Sequence, residues 1–220
     1  MAIQVSDITR RVRQTLLDVG SVRWVVAEHY DAINDAQSAI MEARPDLFEA
    51  YADHTLVVGN EQALPADGYV LFDILWNINP DGSQGRRITR VSRSVLDRQR
   101  AAWSEKNANL TVRHWVQDVR ERAKWFVAPQ QPTSTSQKVR MRYCKRPAMV
   151  ADESDNLDTP EERINTVYYF CMMRLLEKDG KFSGSQQSKH FGQMFAVALS
   201  AGSAGEGEAE DVKAENEGDA

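Results

Sequence analysis

Val5-Ser6-Asp7-Ile8-Thr9-Arg10-Arg11-Val12-Arg13, then Val22-Arg23-Trp24, then Asn34-Asp35-Ala36-Gln37 running on to Arg44-Pro45-Asp46: the reading of the fold starts from this stretch. Ser6 reads as an N-cap, with Asp7 in the positive first turn. Ile8, Val12 and Leu16 fall on one helical face, with Thr15 and Val19 beside them. In the second segment Val26, Tyr30, Ile33, Ile40 and Met41 make another apolar stripe, and Pro45 ends it. The spacing predicts two amphipathic helices joined by a tight turn around Arg23-Trp24.

After Pro45 the period changes. Phe48 to Ala52 and His54 to Val58 read as extended, with Gly59-Asn60 as a turn and Leu64-Pro65-Ala66-Asp67-Gly68 as a second. Tyr69 to Asn79 is apolar nearly all round and fits a buried strand or a short helix; Pro80-Asp81-Gly82 closes it. Arg87 to Ser92 alternates with period two, as a half-buried strand does. Asp97 to Trp103 looks like a helical turn. Val112 to Val116, Trp125 to Ala128 and Lys138 to Tyr143 read as three further strands, the first two joined by a polar turn from Asp118 to Lys124. Such local connections favour an antiparallel meander. A Gly-rich strand-to-helix turn is missing, which argues against a nucleotide-binding parallel sheet.

Helices resume at Thr159-Pro160-Glu161-Glu162, where threonine reads as N-cap, proline as N1 and Glu162 as the partner in a capping box. Ile164, Val167, Tyr168, Cys171, Met172 and Leu175 make its stripe, and Gly180 sits where a C-terminal cap belongs. A last helix from about Ser185 to Leu199 is expected to bury Phe191, Met194, Phe195 and Ala198. The expected class is α+β: N- and C-terminal helix pairs (1–46 and 155–200) meeting in one four-helix bundle. An antiparallel β-rich domain (47–154) is inserted between them, and a disordered acidic tail (201–220) follows.

Composition narrows the alternatives. A chain of 220 residues with 42% hydrophobic content suits a globular protein with a full core. No apolar run is long enough to span a bilayer and no signal peptide opens the chain, so no membrane role is expected. Cys144 and Cys171 lack metal-ligand spacing and read as reduced core thiols. The net charge of −5 is unevenly placed. From Gly202 to Ala220 seven acids face Lys213 alone, a net of −6, which leaves the rest of the chain at +1. The tail has no aromatic residue and cannot offset its ordering entropy by burial. It reads either as a solubilising tail or as an arm that docks on a basic neighbour.

Catalytic signatures are scarce. His29, His54, His114 and His190 are scattered, without metal-type spacing. No nucleophile elbow or phosphate loop occurs. The sequence therefore implies no enzyme, no catalytic residue, no metal and no cofactor. Positive charge is the conspicuous feature. Arg86, Arg87, Arg90, Arg93, Arg98 and Arg100 face only Asp97 in their stretch, and Lys138, Arg140, Arg142, Lys145 and Arg146 form a second run without an acid. In the strand Lys138 to Tyr143, Val139, Met141 and Tyr143 take one face and Lys138, Arg140 and Arg142 the other. Such a face is either an ordinary solvated surface paired with acidic neighbours or a surface for DNA phosphates or an acidic subunit. The candidate DNA- or partner-facing residues are Arg86, Arg87, Lys138, Arg140, Arg142, Lys145 and Arg146. No aromatic stacking platform is interleaved with them in the sequence, and no recognition helix is apparent.

The wording of several segments is specific. "V-x-D-I-x-x-R-V-R" (Val5 to Arg13), the "R-W" turn (Arg23-Trp24) and "N-D-A-Q-x-x-I-x-x-x-R-P-D" (Asn34 to Asp46) resemble the opening of phage head-to-tail adaptor proteins, the connectors beneath the portal of short-tailed phages. "L-P-A-D-G" (Leu64 to Gly68), "D-G-x-x-G-R-x-I-x-x-V-x-R-x-x-L-D-x-Q" (Asp81 to Gln99) and "V-R-H-W-V-x-D" (Val112 to Asp118) extend the resemblance over about residues 3 to 199. Val25 to Glu28 departs from it, since relatives often place a proline and an acidic cap there. The resemblance implies a structural virion protein of the neck or tail, assembled in the bacterial host cytoplasm. It would form a homo-oligomeric, dodecameric ring between the portal protein and the tail tube or nozzle, lining the DNA channel with transient non-specific contact to the genome. The alternative is a small DNA-binding or regulatory protein that uses the arginine-rich strands.

Overall fold

Helix α1 (Val5–Thr15) begins without the expected cap. Gln4, not Ser6, flanks it, and its first free N–H groups are satisfied from elsewhere: Val5 and Ser6 donate to the carbonyl oxygens of Asp155 and Glu153 at 3.0 Å each. Tertiary acceptors have replaced the side-chain cap. The computed structural model describes residues 3–99, 108–117, 123–133, 137–178 and 185–201. The polar turn before Lys124, the Gly180 cap and the acidic tail lie wholly or largely outside these residues.

The turn after α1 is held by one carboxylate. Asp18 accepts hydrogen bonds from the backbone N–H groups of Val22, Arg23 and Trp24 at 2.9, 2.9 and 3.0 Å. These donors, that of Trp24 foremost, hold its carboxyl below the ordinary carboxylate range. Trp24 is buried, and its indole N–H donates to the carbonyl oxygen of Leu175 at 3.0 Å. Helix α2 (Val26–Ala43) follows. At its start Glu28 accepts from the Val25 N–H at 3.1 Å, so an acidic cap is present within Val25 to Glu28 although the segment departs from the family wording. Lys178 pairs with the same carboxylate.

Two compact units emerge: residues up to Leu47 together with those from Pro147 onward, and Phe48–Arg146. In the helical unit, a 3-10 turn (Glu161–Arg163) leads into helix α4 (Ile164–Glu177), and helix α5 is Ser185–Ser200. Helix α3 (Arg93–Gln99) belongs to the other unit.

The expected four-helix bundle is not seen. Helix α4 is the hub, with α2, α5 and, less extensively, α1 packed on it, while α5 makes its main contact with α4. The place of a fourth packing partner is taken by extended chain. On the inner face of α2, Asn34 donates to the Val150 carbonyl oxygen (3.1 Å) and accepts from the Val150 N–H (2.8 Å). Gln37, 1% exposed, accepts from the Asp158 N–H at 3.0 Å and from the Thr159 hydroxyl at 3.4 Å. Polar groups at those positions select backbone, not a helix stripe. Thr159 consequently does not close the expected capping box; its hydroxyl is turned to Gln37, and Pro160 flanks the helical turn.

The same arrangement leaves Phe191, Met194, Phe195 and Ala198 of α5 only half-buried, although Phe195 meets Phe170 edge-on at 5.1 Å. Ile33, 1% exposed in α2, is enclosed. Ile33→Ala should cost about 2–5 kcal/mol in urea unfolding, as buried truncations do. Phe195→Ala should cost clearly less. Equal losses would mean that α5 is enclosed as deeply as α2.

The second unit holds two four-stranded sheets around one core. The strands are β1 (Glu49–Thr55), β2 (Gly59–Ala63), β3 (Gly68–Ile78), β4 (Gln84–Arg87), β5 (Thr89–Arg90), β6 (His114–Gln117), β7 (Lys124–Gln131) and β8 (Lys138–Lys145). One sheet runs β1-β8-β3-β4, the other β2-β7-β6-β5. This corrects the expected meander. Only β3–β4 and β6–β7 are sequence neighbours joined in antiparallel pairs, β1 pairs with β8 across the length of the unit, and β5 lies parallel to β6. Gly59, at φ 94°, begins β2 just where the chain leaves the first sheet, so Gly59-Asn60 is not a hairpin turn.

Long-range pairing wins because β8 is a full-length alternating strand. Its Val139, Met141 and Tyr143 join Leu71, Ile74, Trp115, Trp125 and Val127 in the shared core. A central position between β1 and β3 buries that face and satisfies both backbone edges. The ambiguous segment from Tyr69 resolves as β3, whose three register shifts explain why its burial does not alternate. Asn77 staples the unit internally: its amide donates to the Arg86 and Val112 carbonyl oxygens and accepts from the Val112 N–H.

Candidate interaction surface

All seven basic residues singled out from the sequence fall in the β1-β8-β3-β4 sheet or at its end. Lys138, Arg140, Arg142 and Lys145 belong to central β8, Arg146 follows it, and Arg86 and Arg87 lie in edge strand β4. Two runs some fifty residues apart thus come within two strand spacings, about 10 Å. Residues in register on adjacent strands share a face. Across the sheet, Asp53 stands opposite Arg140, Arg140 opposite Trp76, and Trp76 opposite Arg87. Next to this row, Tyr51 of β1 stands opposite Arg142. Lys138, Arg86, Arg87 and Lys145 are exposed, while Arg140 and Arg142 are half-buried.

Neighbouring strands balance much of this charge. Arg140 pairs with Asp53 at 2.7 Å and Arg142 with Glu49 at 3.4 Å. Such partly solvated surface pairs contribute little stability, roughly 0–1 kcal/mol. The arginines also meet aromatic rings: Arg140 lies 5.8 Å from the Tyr51 ring, Arg142 5.8 Å from Phe72 and Arg146 6.0 Å from Tyr69. An aromatic platform is therefore interleaved with the basic residues, contrary to the linear reading. The rings come from β1 and β3, and only strand pairing brings them beside β8. Arginine, tyrosine and tryptophan on one face form a surface of the type that carries binding energy in interfaces.

The remaining cations of the first arginine run go elsewhere. Arg90 lies 5.1 Å from the Trp115 ring and Arg93 5.5 Å from Phe126, both on the side of the second sheet. Arg98 is exposed on α3, and Arg100 lies outside the described residues.

No reactive constellation accompanies this surface. Among the described residues, no group of three or more His, Cys, Asp or Glu side chains is placed to hold a metal ion. His29 is buried, with its ring 3.1 Å from the Trp24 carbonyl oxygen, and desolvation, its main influence, holds it below the ordinary histidine range. His54 packs beside Trp125 at 5.9 Å. Cys144 and Cys171 are free and buried, and burial pushes the Cys171 thiol far up. Among the described residues no helix is long and apolar enough to cross a membrane.

The family model described as SU10 adaptor protein matches residues 3–213. No curated protein matches the chain.

Proposed function

The chain belongs to the SU10 adaptor protein family, a structural component of phage virions, and from that premise we propose that it works as a head-to-tail adaptor. Copies assemble side by side into a ring, dodecameric by its resemblance to phage connectors, between the portal protein and the tail tube or nozzle. The ring lines the passage for DNA. Its work is mechanical and interfacial, with no chemical step. The observation that carries this reading is the arginine–aromatic face of the β1-β8-β3-β4 sheet. It offers the composition of an interface. We propose that this face, with Arg87, Lys138, Arg140 and Arg142 on it and Arg86, Lys145 and Arg146 at its edge and end, meets an acidic neighbour in the neck and borders the path of the genome. A channel that passes DNA must hold it weakly, which suits phosphate-level charge without base-reading groups.

The test is neutralisation. Reversal to glutamate at Arg140 or Arg142 would press a new carboxylate against Asp53 or Glu49 and confound folding with docking. The variant K138Q/R140Q/R142Q avoids this. Its thermal midpoint should stay close to that of the parent, because each surface pair contributes little. Co-purification with the portal protein, or infectivity of the particles, should fall at least tenfold. Wild-type infectivity would show an ordinary solvated face. A monomer with strongly salt-dependent DNA affinity would favour a DNA-binding regulator instead.

A further inference from the structure

Leu17, Val19, Val22 and Val25 are exposed in the ten-residue stretch that joins α1 to α2, and Val26, the first residue of α2, is exposed beside them; Leu17, Val19 and Val22 are 90%, 74% and 86% exposed. Aliphatic clusters of this size on a surface mark contact sites. The stretch is also rigid. Asp18 ties down three successive N–H groups, Trp24 is anchored on Leu175, and the Lys178 ammonium reaches the Arg23 carbonyl oxygen at 3.5 Å. Leu17 and Ser21 sit at φ 55° and 51°, left-handed backbone that non-glycine residues adopt only when the surroundings impose it. The isolated helical unit gains nothing from holding solvated valines on a strained turn. A partner that receives them does, because the ordering cost has been met before contact.

A receptor for them is present on the same unit. A groove of about 450 Å³ runs along α4 and α5, with Tyr169, Met194, Val197, Ala198 and Ala201 as its apolar wall and Glu162, Arg163, Asn165 and Thr166 on its polar side. Val197 is 64% exposed there. At the α1 end of the loop the Thr15 hydroxyl lies 3.0 Å from that of Tyr168, but its far end is fastened at Leu175 by Trp24, whereas the groove follows α4 from its first turn to Tyr169. At about 1.5 Å per residue, six or more residues of helix keep them roughly 9–15 Å apart.

We propose that the aliphatic loop Leu17–Val26 of one copy of this chain seats in the α4–α5 groove of the next copy. The inference rests on the ring reading and names the contact that would build the ring. Valine and leucine side chains meet tyrosine, valine, alanine and an adaptable methionine, and apolar area leaves water on both sides. Two different patches are used, so the contact is heterologous. It repeats head to tail and closes wherever the rotation between copies permits.

Cross-linking of the full chain tests this. Val22→Cys and Val197→Cys place thiols at exposed positions, while the native Cys144 and Cys171 are buried. With a short bis-maleimide, the V22C/V197C double variant should give a ladder of covalent oligomers at concentrations where native mass spectrometry shows assembly. Either single variant should stay monomeric, and a mixture of the two should give dimers. L17D/V22D should raise the concentration for half-assembly at least tenfold with unchanged circular dichroism. An assembled ring without the ladder would overturn the loop-in-groove contact and leave the ring reading standing. Dimers from V22C alone would overturn it in favour of a symmetric contact. Intact self-assembly of L17D/V22D with lost portal binding would assign the loop to another protein. Absence of any wild-type assembly, alone or on portal rings, would remove the ring reading and this inference together.

Discussion

Replacing Trp24 by alanine should destabilise the helical unit by about 3–5 kcal/mol, the range for truncating a buried large aromatic side chain. Trp24 is 4% exposed and joins the α1–α2 turn to α4 through its indole N–H and the Leu175 carbonyl oxygen. Its own backbone is engaged on both sides, by Asp18 at the N–H and by His29 at the carbonyl oxygen. Loss of the ring therefore empties a cavity and loosens a turn at once. Trp24→Phe keeps most of the packing and gives up one hydrogen bond, so its cost should be nearer 1 kcal/mol. Denaturant unfolding followed by far-ultraviolet circular dichroism separates the two variants. An alanine cost below 1 kcal/mol would show that the turn is held mainly by Asp18.

Asn34→Ala should be the second severe change, at about 2–4 kcal/mol. The Asn34 amide satisfies both the N–H and the carbonyl oxygen of Val150, and Val150 is itself buried. Alanine leaves both backbone groups without a partner, and each unsatisfied buried group costs about 1–3 kcal/mol. Asn34→Asp should not rescue the site. One carboxylate oxygen can still accept from the Val150 N–H, but the other is forced toward the Val150 carbonyl oxygen. The direct readout is hydrogen exchange at Val150, slow in the parent and fast in both variants. Slow exchange in Asn34→Ala would mean that the extended segment is held by Gln37 alone.

These two residues also explain what the opening stretch encodes. Arg23-Trp24 and Asn34-Asp35-Ala36-Gln37 look in one dimension like fragments of amphipathic helices with some unusual polar insertions. In three dimensions the polar members are the specific part. Asn34 and Gln37 bind the chain returning from Arg146, and Trp24 binds the far end of α4. A stripe of Ile33, Ile40 and Met41 alone would have accepted any apolar helix. The amides restrict that face to backbone, which is why a bundle of four mutually packed helices does not form.

Local chemistry settled much of this protein from the sequence alone. The existence of α1 and α4, nearly the limits of α2 and α5, the strands from Trp125 and Lys138, and the inward face of Val139, Met141 and Tyr143 follow from periodicity and from proline and glycine placement, which act within a few residues; α1 stops at Thr15, short of Val19, and α4 starts at Ile164, after Thr159. The adaptor wording was legible in the same way. What the sequence could not decide is everything that depends on which segments meet. The caps at Ser6 and Thr159 failed because tertiary acceptors and donors outbid the local side chain. The meander failed because a strand's pairing is set by matching length and buried face, and β1 and β8 are ninety residues apart. The aromatic platform under Arg140, Arg142 and Arg146 was invisible for that reason, since its rings stand on β1 and β3. The α4–α5 groove was equally out of reach, because it depends on α5 packing mainly on α4, a choice between distant segments that no local pattern states.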